Sequence, residues 1–158
     1  MAKVILGIDP GYARMGWGVI RTSGPTLECI DYGCIETPAD EELGTRLCII
    51  NAELTKIITQ YQPNDIAIEE LFFAKNTKTA ISVAAARGVV LLRACTHSGR
   101  IFEYKPNAVK IATTGTATAD KKQMQFMVTR ILSLRETPKP DDAADALAIA
   151  ITHASQSR

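Results

Sequence analysis

A chain of 158 residues with 46% hydrophobic and 22% charged side chains has the size and composition of one globular domain, which excludes a disordered or collagen-like protein. Its net charge of +1 excludes a uniformly basic nucleic-acid binder. The charge is unevenly placed, however: residues 1–70 carry five Lys/Arg against eleven Asp/Glu, whereas residues 71–140 carry twelve against three. Such a basic middle segment is what a phosphate-binding surface needs, although solvated helix faces produce the same pattern.

Val4 to Asp9 is a short apolar run ending on a carboxylate and cut off by Pro10-Gly11, the pattern of a strand buried on both faces. It is too short to span a bilayer, so neither a membrane segment nor a signal peptide is expected, and the compartment is the cytoplasm. Trp17–Ile20 and Glu28–Glu36 read as two further strands joined by the Ser23-Gly24-Pro25 turn. Leu43, Leu47, Ile50, Leu54, Ile57 and Ile58 then recur at helical spacing over Asp40–Tyr61. Pro63-Asn64 ends that helix, and Ile66–Glu69 is a second buried strand that also stops on a carboxylate.

After a loop from Glu70 to Lys78 comes an Ala-rich helix, Thr79–Thr96, whose small residues suit close packing on the sheet or on a second subunit. Ile101–Tyr104 reads as a strand, Pro106–Ala112 as a helix, Thr113–Thr118 as a loop and Ala119–Leu134 as another helix. The last helix runs from Asp142 to Ser155, with Asp141 placed as its N-cap. Cys29, Cys34, Cys48 and Cys95 show neither zinc-ligand nor disulfide spacing and read as buried or inert thiols, while His97 and His153 read as helix-end or surface residues. With no repeat or linker in view, residues 1–158 form a single domain whose last few residues are a flexible tail.

Four acids attract attention. Asp142 and Asp145 lie three residues apart, on one face of a first helical turn, where a helix N-terminus offsets their repulsion only in part. Asp9 alone could shape an Asx turn with Pro10 and Gly11, and either helix aspartate alone could complement the helix dipole. If Asp9 and Glu69 end neighbouring parallel strands and the last helix starts across them, four carboxylates converge. A pair of Mg²⁺ ions about 3.5–4 Å apart uses such a cluster of hard oxygen ligands to hydrolyse a phosphodiester.

Along essentially its whole length the chain resembles the RuvC Holliday junction endonucleases of the RNase H-like superfamily. The resemblance rests on Leu6-Gly7-Ile8-Asp9-Pro10-Gly11, on Ala67-Ile68-Glu69 with Phe72-Phe73-Ala74-Lys75-Asn76, on Ala86-Arg87-Gly88, and on Asp142-Ala143-Ala144-Asp145-Ala146-Leu147. It implies an α/β RNase H-like fold with a central mixed five-stranded sheet flanked by helices on both faces. It also implies that Asp9, Glu69, Asp142 and Asp145 hold two Mg²⁺ ions, with Mn²⁺ able to substitute, and that Lys110 and Lys121 approach the scissile phosphate. Phe72 would stack on an exposed base, with Phe73 the more readily assigned to the core, and Lys75, Asn76, Lys78 and Lys122 would contact DNA. The family acts as a homodimer on four-way junction DNA, alongside a RuvA/RuvB-type branch-migration complex.

Two departures bear on packing. The family often has Gly-Gln where this chain has Ala84-Ala85, and a second glycine where it has Ala117. Three other readings stay open on the sequence: a related nuclease acting on structured RNA, an actin-like ATP-binding fold, and a junction-binding module without catalysis.

Overall fold

The computed structural model describes residues 2–70, 77–97 and 99–157. The sheet is built around strand β1 (Lys3–Asp9), in which Ile5, Leu6 and Ile8 are fully buried. Because strand side chains alternate in direction, Ile5 belongs to the core on one face and Leu6 and Ile8 to the core on the other. That is why the strand carries no polar residue from Val4 to Ile8, before its terminal Asp9. Among the described residues the sheet has five strands in the order β3-β2-β1-β4-β5.

Strands β2 (Arg14–Ser23) and β3 (Thr26–Glu36) form an antiparallel hairpin on β1, and β4 (Asp65–Glu69) and β5 (Arg100–Tyr104) add parallel to it. β2 extends well beyond the Trp17–Ile20 stretch, since its ladder with β3 continues from Arg14↔Glu36 to Ser23↔Thr26. The Arg21–Ser23 end is polar and largely solvent-facing, and at the other end the buried Met15 is separated from Trp17 by a glycine, so hydrophobic alternation does not reveal the full strand. Gly24 makes the turn in the left-handed region at φ +57°.

Helices α1 (Leu43–Tyr61) and α2 (Thr77–Thr96) cover one face of the sheet. The other face carries α3 (Pro106–Thr114), α4 (Lys121–Ile131) and α5 (Asp141–Gln156). Helices on both faces of a mixed five-stranded sheet are what the resemblance implies. The boundaries differ from the sequence reading where capping decides them. α4 starts at Lys121, not Ala119, because Asp120 and Gln123 form a reciprocal capping box with both bonds at 2.8 Å. α5 starts one residue earlier than predicted, with Pro140 as N-cap; Asp141 is its first helical residue and makes no cap bond.

The Thr79–Thr96 stretch of α2 is long and apolar enough, by length and composition alone, to cross a membrane. Ala86, Val90 and Ala94 on that helix are nevertheless buried in the sheet-side core, while Ile81 and Leu92 are 74% and 56% exposed. None of the cysteines is buried: Cys29 and Cys34 are half-buried, and Cys48 and Cys95 are exposed.

What fixes α5 on the sheet is the absence of side chains beneath it. A Cβ on Gly7 would fall on the Ala146 carbonyl oxygen, and one on Gly16 on the Asp142 carbonyl oxygen. Helix and strands therefore touch backbone to backbone, and the helix's own buried face is largely alanine. The far end of α5 is pinned by polar groups. His153, 1% exposed, lies with Nε2 3.0 Å from the fully buried Asp65 carboxylate on β4, and the Tyr104 hydroxyl on β5 sits 2.7 Å from its Nδ1. Arg100 completes the set, 2.9 and 2.8 Å from Asp65 Oδ1. Burial alone would raise the Asp65 pKa, but the bonds from His153 and Arg100 win and hold it below the usual carboxylate range. His153 thus lies at a helix end, in the last turn of α5, but is a core residue and not a surface one.

Replacing Gly7 with alanine forces a methyl group into α5 backbone, and Gly7→Ala is expected to cost at least ~3 kcal/mol. Nothing lies within 4 Å of a Cβ built on Gly44 in α1, so Gly44→Ala should be neutral or stabilising by up to ~1 kcal/mol. Urea unfolding midpoints of the two variants check the contrast.

Candidate active site

The parallel register of β1 and β4 pairs Ile8 with Ile68, so the next residues, Asp9 and Glu69, leave the sheet side by side at its C-terminal edge. Open α/β sheets place ligand sites at that edge. Asp9 is also paired across the ladder with Gly16, over which the Asp142 carbonyl lies. The close approach of α5 therefore delivers Asp142 and Asp145 to the same strand ends. A cleft of about 310 Å³ opens there, lined by Asp9, Glu69, Asp145, Lys110, Lys121 and Met124 among others.

The electrostatics report how close these acids are. The Asp9 carboxyl is pushed up to about 8 by burial and then by the negative charges of Asp145, Glu69 and Asp142, with Lys121 opposing. Glu69 is raised by burial and by Asp145 while Lys110 pulls it down, and Asp145 is raised by burial against the pull of Lys121. Four carboxylates from three separate elements, β1, β4 and α5, thus feel one another at Asp9.

The cations present satisfy this charge only in part. Lys121, the first residue of α4, lies 3.2 Å from Asp141 and 3.6 Å from Asp145. A lysine at a helix N-terminus is opposed by the helix dipole, so its place depends on these acids. Its own pKa, which burial would lower, is raised by Asp145 and Asp141. Lys110 reaches the cleft from α3. Asp142 is turned aside: its Oδ2 lies 3.2 Å from Arg14 Nε, and it is not among the residues lining the cleft.

Sequence reasoning missed Arg14 and also the job of Asp141, whose carboxylate takes Lys121 on one oxygen and the Gln125 amide, at 2.9 Å, on the other. Arg14 comes five residues after Asp9 on the returning strand, and nothing in its local pattern points at a helix more than a hundred residues away.

Lys122 is exposed on α4 and does not line the cleft, and Lys78 is the second residue of α2. Phe72, Phe73, Lys75 and Asn76 lie outside the described residues. The Ala117 departure leaves the loop before Lys121 intact, because the left-handed residue there is Gly115, at φ +82°, and Ala117 has no positive φ. Ala84 and Ala85 sit within an unbroken α2.

The donor set fits a divalent cation. Carboxylate oxygens are the hard ligands that Mg²⁺ and Mn²⁺ take, and a carboxyl held protonated near neutral pH marks an excess of negative charge that a cation would relieve. Among the described residues, no three acids stand close enough to make a finished metal cage. Asp142 paired with Arg14 and Asp145 shared with Lys121 account for that.

Comparison with known proteins agrees with this geometry. The family model described as crossover junction endodeoxyribonuclease RuvC matches residues 5–153. The protein of that name from Alkaliphilus oremlandii is 52% identical over 151 residues, covering 96% of this chain and 92% of its own. The one from Rubrobacter xylanophilus is 51% identical over 156 residues, covering 99% and 87%. Among solved structures, Thermus thermophilus RuvC in complex with Holliday junction substrate superposes with a TM-score of 0.93 at 34% identity, over 99% of this chain and 95% of that one.

A raised carboxyl pKa has a signed consequence for stability. The folded chain holds the Asp9 proton up to about pH 8, whereas the unfolded chain releases it near 3.8. Between those values the folded state binds more protons, so metal-free stability falls as pH rises and levels off above about 8. The difference in melting temperature between wild type and Asp9→Asn should therefore move steadily against wild type from pH 5 to 8, and saturating Mg²⁺ should reduce that drift. Thermal unfolding with and without chelator checks it.

Proposed function

The chain belongs to the RuvC family of crossover junction endodeoxyribonucleases, and from that premise we propose that it resolves four-way DNA junctions by paired, metal-dependent phosphodiester hydrolysis in recombination and repair. The observation that carries the reading is the gathering of Asp9, Glu69 and Asp145 in one cleft at the strand ends, where burial and then the neighbouring acids of β4 and α5 raise the Asp9 carboxyl.

In this reading Asp9, Glu69 and Asp145 would hold Mg²⁺, two ions per site with Mn²⁺ able to replace them, and Asp142, now paired with Arg14, would be the fourth acid of the set. When bound, such ions activate a water for in-line attack and stabilise the departing 3′ oxygen. Among the described residues the cleft lining offers no serine, threonine, cysteine or tyrosine, and in this reading water is the nucleophile and the products are a 5′ phosphate and a 3′ hydroxyl. Lys110 and Lys121 stand where an ammonium would neutralise charge building on the phosphate oxygens. Asp141 and Gln125 steer Lys121, since each touches the group that holds it. Phe72, Lys75, Asn76, Lys78 and Lys122 are assigned to DNA contact.

A junction with two-fold symmetry needs two matched cuts, which a symmetric pair of subunits supplies. The bare apolar face of α2, with Ile81 and Leu92 outward, is the surface we assign to that homodimer. Residues 1–158 then act as one nuclease domain, working in the cytoplasm beside a RuvA/RuvB-type branch-migration complex.

Wild-type protein with Mg²⁺ should cut a synthetic four-way DNA junction in preference to duplex DNA and to RNA hairpins. Asp9→Asn and Glu69→Gln should each lower the single-turnover rate by ~10²–10³-fold or more while leaving junction binding within about threefold. Parallel loss of cutting and binding would reassign these acids to folding, and preferential cutting of RNA hairpins would move the enzyme to another branch of the fold.

A further inference from the structure

Helix α4 has two working faces. Met124 and Val128 point into the core, and Lys121 and Met124 border the cleft. The outer face carries Lys122, Phe126 and Arg130 at four-residue steps, hence in a row about 12 Å long. Phe126 is 61% exposed, an unusual place for a phenyl ring on a helix that is otherwise polar outside. The Arg130 guanidinium lies 6.0 Å from the ring centroid, and a second hollow of about 380 Å³ opens beside the ring, bounded by Thr114, Thr116 and Lys122.

Cations predominate along this stretch: between residues 105 and 135 there are six Lys/Arg and a single acid, Asp120, whose carboxylate is engaged at the α4 N-terminus, and the Asp141 carboxylate beside α4 is taken up by Lys121 and Gln125. Apolar protein partners do not call for cations on both sides of the anchoring ring. A phosphodiester backbone does, because Lys122 and Arg130 can take phosphates while the ring covers the deoxyribose between them. The row is also continuous with the cleft through Lys121, so a strand leaving the cutting site meets it without a gap.

We infer that the Lys122–Phe126–Arg130 face of α4 is an accessory DNA-binding surface that grips the backbone of the junction arm leaving the active site. This rests on the junction-cutting function proposed above. The contact reads no bases, so it contributes affinity and salt dependence and leaves the chemical step alone.

Binding of Phe126→Ala and of Lys122→Ala/Arg130→Ala to a fluorescent four-way junction, with Ca²⁺ in place of Mg²⁺, tests this from 50 to 200 mM salt. All three side chains are exposed, and melting temperatures within about 2 °C of wild type would confirm intact folding. Phe126→Ala should weaken binding about fivefold. The double variant should weaken it at least ~10-fold and lower the slope of log affinity against log salt by about two. Single-turnover cutting by Phe126→Ala at saturating protein should stay within about twofold of wild type. Unchanged affinity in both variants, or weakened affinity with an unchanged salt slope, overturns the inference while wild-type cutting leaves the junction-resolving function standing. A wild type that neither binds nor cuts the junction overturns both.

Discussion

The contact on which the rest depends is the backbone-to-backbone seating of α5 on β1 and β2. Gly7 and Gly16 leave the strands bare where the Ala146 and Asp142 carbonyls come down, and any side chain there would lift the helix. Interiors are close-packed, so such a lift could not be absorbed locally. Seated as it is, α5 puts its first turn over the C-terminal ends of β1 and β4, and the acids of three elements meet. At the other end of the helix the buried pair His153 and Asp65, joined by Tyr104 and the exposed Arg100, forms a polar clamp to β4 and β5. The strand that bears Glu69 and the helix that bears Asp145 are thus tied together at both ends.

This arrangement gathers like charges, which in a cation-free site is unfavourable. The fold tolerates it by three local means: a proton held on Asp9, Lys121 shared between Asp141 and Asp145, and Arg14 drawn onto Asp142. Each is a placeholder that a divalent ion would displace or rearrange. Strain of this kind at one edge of an otherwise locally consistent domain is what a functional site looks like energetically.

Much of this was legible in the residues. Strands ending in Asp9 and Glu69 and a helix opening on Asp142 and Asp145 announce themselves by apolar runs that stop on a charge, and the parallel pairing of β1 with β4 then brings the strand acids together. The glycines beneath α5 were visible only as letters, because close approach is a property of two distant segments at once. The same holds for Arg14, which reaches Asp142 from a strand more than a hundred residues away, and for His153, whose partners lie on β4 and β5. Local pattern shows which face of an element is apolar. It does not show which polar side chain will find a buried partner from elsewhere in the chain.

The most direct measurement is a Mn²⁺ titration of the protein alone, followed by electron paramagnetic resonance, in wild type and in Asp9→Asn, Glu69→Gln and Asp145→Asn. If the three acids belong to one site, each single substitution should remove most of the bound Mn²⁺, and combining two should add little further loss. Wild-type binding that survives each substitution nearly unchanged, or that falls by independent and additive amounts, would contradict a single shared cation site.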